Sequence, residues 1–121
     1  MDIYTSCFRR AKALDTSRYL VVSISRFSPR GWKGLRLECL APSRSLLKDY
    51  HEGLSWDNYV ERYNREVLSR VDVRRALKLV AMSSCGRDIV LCCYEDSPEL
   101  CHRSLVSKFI FDKYGYQVLD I

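Results

Sequence analysis

The 121-residue sequence has no apolar run close to the ~20 residues that a membrane-spanning helix requires. Strand-like residues follow Met1-Asp2 directly, with no positively charged leader and apolar stretch of the kind that directs secretion. There is no internal repeat and no low-complexity tract, so solenoids, propellers and disordered tails are set aside. The named catalytic motifs are missing too. No glycine-rich phosphate loop, no paired-histidine metalloprotease helix and no Gly-x-Ser-x-Gly elbow occurs. The Pro-Cys-x-x-Cys and His-x-Glu of zinc deaminases are absent. No cysteine is followed six places later by arginine, which excludes a tyrosine-phosphatase loop.

What is present is an ordinary globular composition, 47% hydrophobic and 29% charged, in a chain of single-domain length. One α/β domain over residues 1–121, cytoplasmic and without a membrane partner, is the expectation. Six cysteines could build a disulfide scaffold, but without a secretion signal all six are expected as thiols. Cys92 and Cys93 are adjacent in a probable strand and point to opposite faces. The net charge of +5 favours an anionic partner, and its distribution matters more than its size.

Three apolar, β-forming runs stand out: Ile3–Cys7, Tyr19–Ser25 and Asp88–Tyr94. A basic helical turn or two, Phe8–Leu14, follows the first. Helical patterns lie between and after the others, opened by caps at Ser43, Ser55 and Asp72. Tyr59, Tyr63 and Val67 form one inward stripe, and Val73, Ala76, Leu77 and Val80 another. Gly115 ends the last helix, and Tyr116–Leu119 reads as a fourth strand. Strands separated by helices predict a small three-layer Rossmann-like fold with a mainly parallel sheet.

Cys93-Tyr94 and Arg26 then fall at C-terminal strand ends, where parallel α/β folds bind ligands. Ser97-Pro98 reads as the start of the last helix, which places Cys101, His102 and Arg103 in its first two turns. Free backbone N–H groups and adjacent cations there favour anions and activate thiols. Between Arg26 and Arg36, the cations Arg30 and Lys33 alternate with Phe27 and Trp32, a mixture suited to phosphates and stacked bases.

The segments Ile3–Ser6, Val22–Arg26, Trp32–Gly34, Leu40–Ser43 and Ser55–Tyr59 with Glu61–Tyr63 resemble the domain of unknown function 488 family. So does Leu91-Cys-Cys-Tyr-Glu95 before Cys101-His-Arg103, the most diagnostic match. Cys93 corresponds to the family's strand-end cysteine, and Cys92 is extra. The resemblance implies a small α/β fold, a site around these residues, and a role around nucleic acid or nucleotides.

Three chemistries suit the residues. The first is a small enzyme on a nucleotide or nucleic-acid substrate. Arg26, Arg30, Trp32, Lys33, Tyr94 and Arg103 would bind, while Cys93, Glu95, Cys101 and His102 would act as nucleophile, base or acid. The second is a non-catalytic binding module on the same surface. The third is a zinc site from Cys93, Cys101 and His102 with Glu95 or Cys7. The spacing Cys-x7-Cys-His is not a standard one, so neither metal nor other cofactor is expected.

Overall fold

Ile89 to Cys93 is uninterruptedly apolar because it becomes the middle of a sheet covered on both faces. In the computed structural model, which describes residues 1–121, β1 (Ile3–Cys7), β2 (Tyr19–Ser23), β3 (Leu35–Arg36), β4 (Asp88–Cys93) and β5 (Leu119–Asp120) form one sheet. All pairings are parallel, in the order β3-β2-β4-β1-β5. Parallel strands need crossovers, and the intervening helices supply them.

Helices α2 (Arg44–His51), α3 (Trp56–Tyr63), α4 (Val73–Met82) and α5 (His102–Tyr114) all cover one face. Ser43, Ser55 and Asp72 cap the first three through their side chains, as expected. A π-helical segment, Asn64–Leu68, extends α3 and turns Val67 and Leu68 inward. The main core joins Val22, Ile24, Ile89 and Leu91 to Tyr59, Tyr63, Val73, Val80, Val106 and Ile110. The other face is thinly covered. There the short helix α1 (Phe8–Ala11) and the half-buried Trp32 pack over Val90 and Cys92. The three layers are thus unequal, with a bundle on one side and a single turn plus a loop on the other.

Several boundaries differ from the sequence reading, among them the last strand, which is Leu119–Asp120 and not Tyr116–Leu119. Leu35–Arg36, read as part of a loop, adds a short edge strand beside Val22 and Ser23. Two residues give too little pattern to be recognised. The last helix begins at His102, not at Ser97. The Ser97 hydroxyl donates to the Glu99 carboxylate, so it caps nothing. Residues 94–100 instead bend in a loop whose carbonyls, at Glu95 and Asp96, are gathered by Arg103. The other end of α5 is as read: Gly115 takes the left-handed conformation (φ 70°) that closes it. No helix is long and apolar enough to cross a membrane.

Candidate functional site

Cys7 and Cys93 end side by side on neighbouring strands, β1 and β4. From there the chain leaves β1 toward α1 on one face and β4 toward α5 on the other. This is the switch point at which open α/β sheets bind ligands. A cleft of about 280 Å³ opens beside it, over the ends of β2 and β4. Its lining includes Arg26, Phe27, Tyr50, Tyr59 and Tyr94, with Glu95, Cys101 and His102.

The helix start explains how Cys101 and His102 reach this cleft together. Cys101 is the extended N-cap residue of α5 (φ −130°, ψ 143°) and His102 is the first helical one. That change of conformation turns two consecutive side chains to the same side, with Cys101 Sγ 3.9 Å from His102 Nδ1. Across the floor, the Cys93 sulphur at the end of β4 is in contact with that of Cys101. The expectation of six separate thiols therefore holds for Cys7, Cys39, Cys85 and Cys92 and fails for this pair. The Cα atoms of the pair are 7.8 Å apart, beyond the ~4.4–6.8 Å that a relaxed disulfide spans.

His102 is buried, with Nε2 2.8 Å from the carbonyl of Ile24. A carbonyl only accepts, so Nε2 carries the proton and Nδ1 presents a bare lone pair toward the sulphurs. Burial pulls the imidazole down to about 4, and the Arg103 charge adds to this against the favourable Ile24 hydrogen bond. The ring is neutral at pH 7. It can accept a proton or a metal ion at Nδ1, and it has no proton there to give. Of the acid and base roles expected from the sequence, the geometry fits only the second.

Arg103 is not a free anion ligand. Its guanidinium is fully buried and each of its nitrogens donates: Nε to Asp120 Oδ1 (2.8 Å) and Nη2 to the Asp96 carbonyl (3.1 Å). Nη1 donates to the Glu95 carbonyl (2.5 Å) and to Cys93 Sγ (3.2 Å). The last contact places a guanidinium N–H on the Cys93 sulphur. Asp120 also pairs with Arg10 and accepts from the Thr5 hydroxyl, which ties β5 to the site's underside.

Arg26 is the arginine that lines the cleft. Its Nε donates to the Pro42 carbonyl (2.9 Å), which lays the side chain along the cleft, and it forms no ion pair. Glu95 is exposed at the rim. Tyr94 is half exposed and packs edge-on against Phe8. The loop residues Arg30, Trp32 and Lys33 are elsewhere. They line a second groove on the α1 face, with Lys12 and Tyr19. Trp32 plugs that face against Phe8. Sequence reasoning missed Tyr50, Tyr59 and His51 as cleft walls. The stripe Trp56-Tyr59-Tyr63 reads as core, and Tyr59 serves as core and wall at once.

Fold and cleft together define a small Rossmann-like α/β protein with a thiol–imidazole cluster where the central strand ends. The chain belongs to the domain of unknown function 488 family: the model of its DUF488-N3a group, described as the active DUF488-N3 subclade, matches residues 6–114. No curated protein and no solved structure matches the chain.

Proposed function

We propose that the protein is a small enzyme that binds a nucleotide, or the nucleotide end of a nucleic acid, in the cleft above β2 and β4. Its chemistry is carried out at the Cys93–Cys101–His102 cluster on the cleft floor. One convergence carries this reading: an unpaired arginine, several aromatic side chains and a thiol–imidazole pair line the same cleft. Arg26 supplies a charge for phosphate, and Tyr94 and Phe27 offer exposed rings for a base. Glu95 at the rim is a carboxylate within the same space, available as a general base. The matched subclade's description as active is in keeping with an enzyme.

Equilibrium titration with adenosine monophosphate and a short single-stranded oligonucleotide tests this. Arg26→Ala is expected to weaken binding about ten- to a hundredfold, the worth of a hydrogen bond to a charged group. Tyr94→Ala should cost about 1–3 kcal/mol of stacking. Equal affinity of the wild type and Arg26→Ala would overturn the proposal. The groove on the α1 face, with Lys12, Arg30 and Lys33 around Trp32, favours a second reading as a nucleic-acid binding module. In that case Arg30→Ala with Lys33→Ala flattens the salt dependence, and Arg26→Ala does not.

A further inference from the structure

We infer that Cys93, Cys101 and His102 form a binding site for a thiophilic divalent cation of the zinc type, with one coordination position left open toward the cleft. The inference deepens the reading above for the same cluster, and rests on it only for what the cleft holds. The sequence argued against a metal, because Cys-x7-Cys-His is not a standard ligand spacing. With the helix starting at His102, the three ligand atoms all lie within 4.8 Å of one another.

Four features support a cation there. The donor set, two sulphurs and one imidazole nitrogen, is the soft set that zinc prefers. A tetrahedral zinc, with sulphur at about 2.3 Å and nitrogen at about 2.0 Å, keeps its ligand atoms about 3.5–3.8 Å apart. Cys101 Sγ and His102 Nδ1 stand at 3.9 Å. The Cα separation of 7.8 Å between the cysteines is wide for a disulfide. That backbone spacing leaves the two sulphurs, in contact here, room to separate onto a common centre. Finally, the outer contacts are those of a metal ligand set. His102 donates Nε2–H to the Ile24 carbonyl, which fixes the tautomer with Nδ1 free, and Arg103 donates to Cys93 Sγ.

The charges balance as well. Two thiolates neutralise a dication, and Arg103 is neutralised by Asp120. Binding to the thiol form releases one proton from each cysteine to solvent and none from His102, which is already neutral. Cys7 is not a ligand, because its thiol faces the Asp96 carboxylate. The fourth position opens on the side lined by Cys101 and His102, where Glu95, water or a substrate oxygen can reach it. Three protein ligands and one open position is the pattern of catalytic rather than structural zinc.

The test begins with full-length protein stripped by a chelator, then titrated with cobalt(II) and afterwards with zinc. We expect one cobalt per chain, a thiolate-to-metal charge-transfer band with tetrahedral ligand-field bands, and displacement by one equivalent of zinc. Zinc should protect Cys93 and Cys101 from alkylation in peptide mapping, while the exposed Cys39 and Cys85 react as before. Cys101→Ser and His102→Gln should lower zinc affinity by about a hundredfold or more, since even outer contacts are worth about 10–100-fold. Cys39→Ser should leave it unchanged. The protection experiment uses the wild type, so it stands even if a variant fails to fold. Absence of the cobalt bands, unprotected Cys93 and Cys101, or full affinity in Cys101→Ser would overturn the inference. Nucleotide titration of the stripped protein separates the two claims. Binding that depends on Arg26 without any metal site sinks only the inference, and a metal site without nucleotide binding sinks only the proposed function.

Discussion

Arg103→Ala is expected to destabilise the protein by about 3 kcal/mol or more, the scale of breaking a buried ion pair by removing one partner. The guanidinium has no exposure and serves four acceptors: the Asp120 carboxylate, the carbonyls of Glu95 and Asp96, and the Cys93 sulphur. Its loss leaves two carbonyls without that donor, a cavity under the 94–100 loop, and one fewer contact between β5 and the site. Arg10 keeps the Asp120 carboxylate paired, which holds the cost to the low end of the range. For a chain of this size the midpoint of thermal unfolding should drop by about 12 °C. Arg103→Lys should recover little, because an ammonium is a point charge and cannot span acceptors on both sides of a planar fork. Denaturant unfolding of the three proteins measures this. A neutral or stabilising Arg103→Ala would mean that the arginine is held for a ligand, as its place in the sequence suggested.

Acid is expected to cost the metal-free protein about 3 kcal/mol through His102 alone. The folded imidazole titrates at about 4, held down chiefly by burial and further by the Arg103 charge, whereas an unfolded histidine titrates at about 6.5. Below 6.5 the unfolded chain takes up a proton that the folded one refuses, so stability falls as the pH drops from 6.5 to 4. Above 6.5 the contribution is fully present. In His102→Gln the corresponding fall should vanish, leaving only what the carboxylates contribute. Unfolding free energies of both proteins at pH 7.5, 5.5 and 4.5, in the presence of a chelator, give the comparison. Parallel curves would show that His102 is protonated in the folded state and that its Nδ1 is not the free acceptor described above.

Where side chains close to one another in sequence decide the structure, the sequence was readable. The buried run at Ile89–Cys93, the side-chain caps of α2, α3 and α4, and the glycine that ends α5 all follow from neighbours within a turn or a strand. The parallel arrangement follows as well, because strands joined through helices leave little else. The candidate cleft was legible as a location. Arg26, Tyr94, Glu95, Cys101 and His102 do meet at one cleft. Its chemistry was less legible, because partners far along the chain decide it. Arg103 looks free until Asp120, 17 residues on, returns on an edge strand of two residues. The start of α5 was misplaced because Ser-Pro is a strong local signal. It is overridden by a guanidinium that needs the carbonyls of Glu95 and Asp96 out of any helix. Arg30 and Lys33 looked like part of the same site as Arg26, and the chain between them crosses to the other face of the sheet.

The most direct measurement is backbone amide shift mapping of nitrogen-labelled protein during titration with adenosine monophosphate. Shifts should saturate together at Arg26 and Phe27, at Tyr94 and Glu95, and at Cys101 and His102, the segments that line the cleft. Amides of Gly31, Trp32 and Lys33, in the groove on the α1 face, should stay in place. Shifts confined to that groove, or no saturable shifts at all, would contradict the claim that the cleft over β2 and β4 is the nucleotide site.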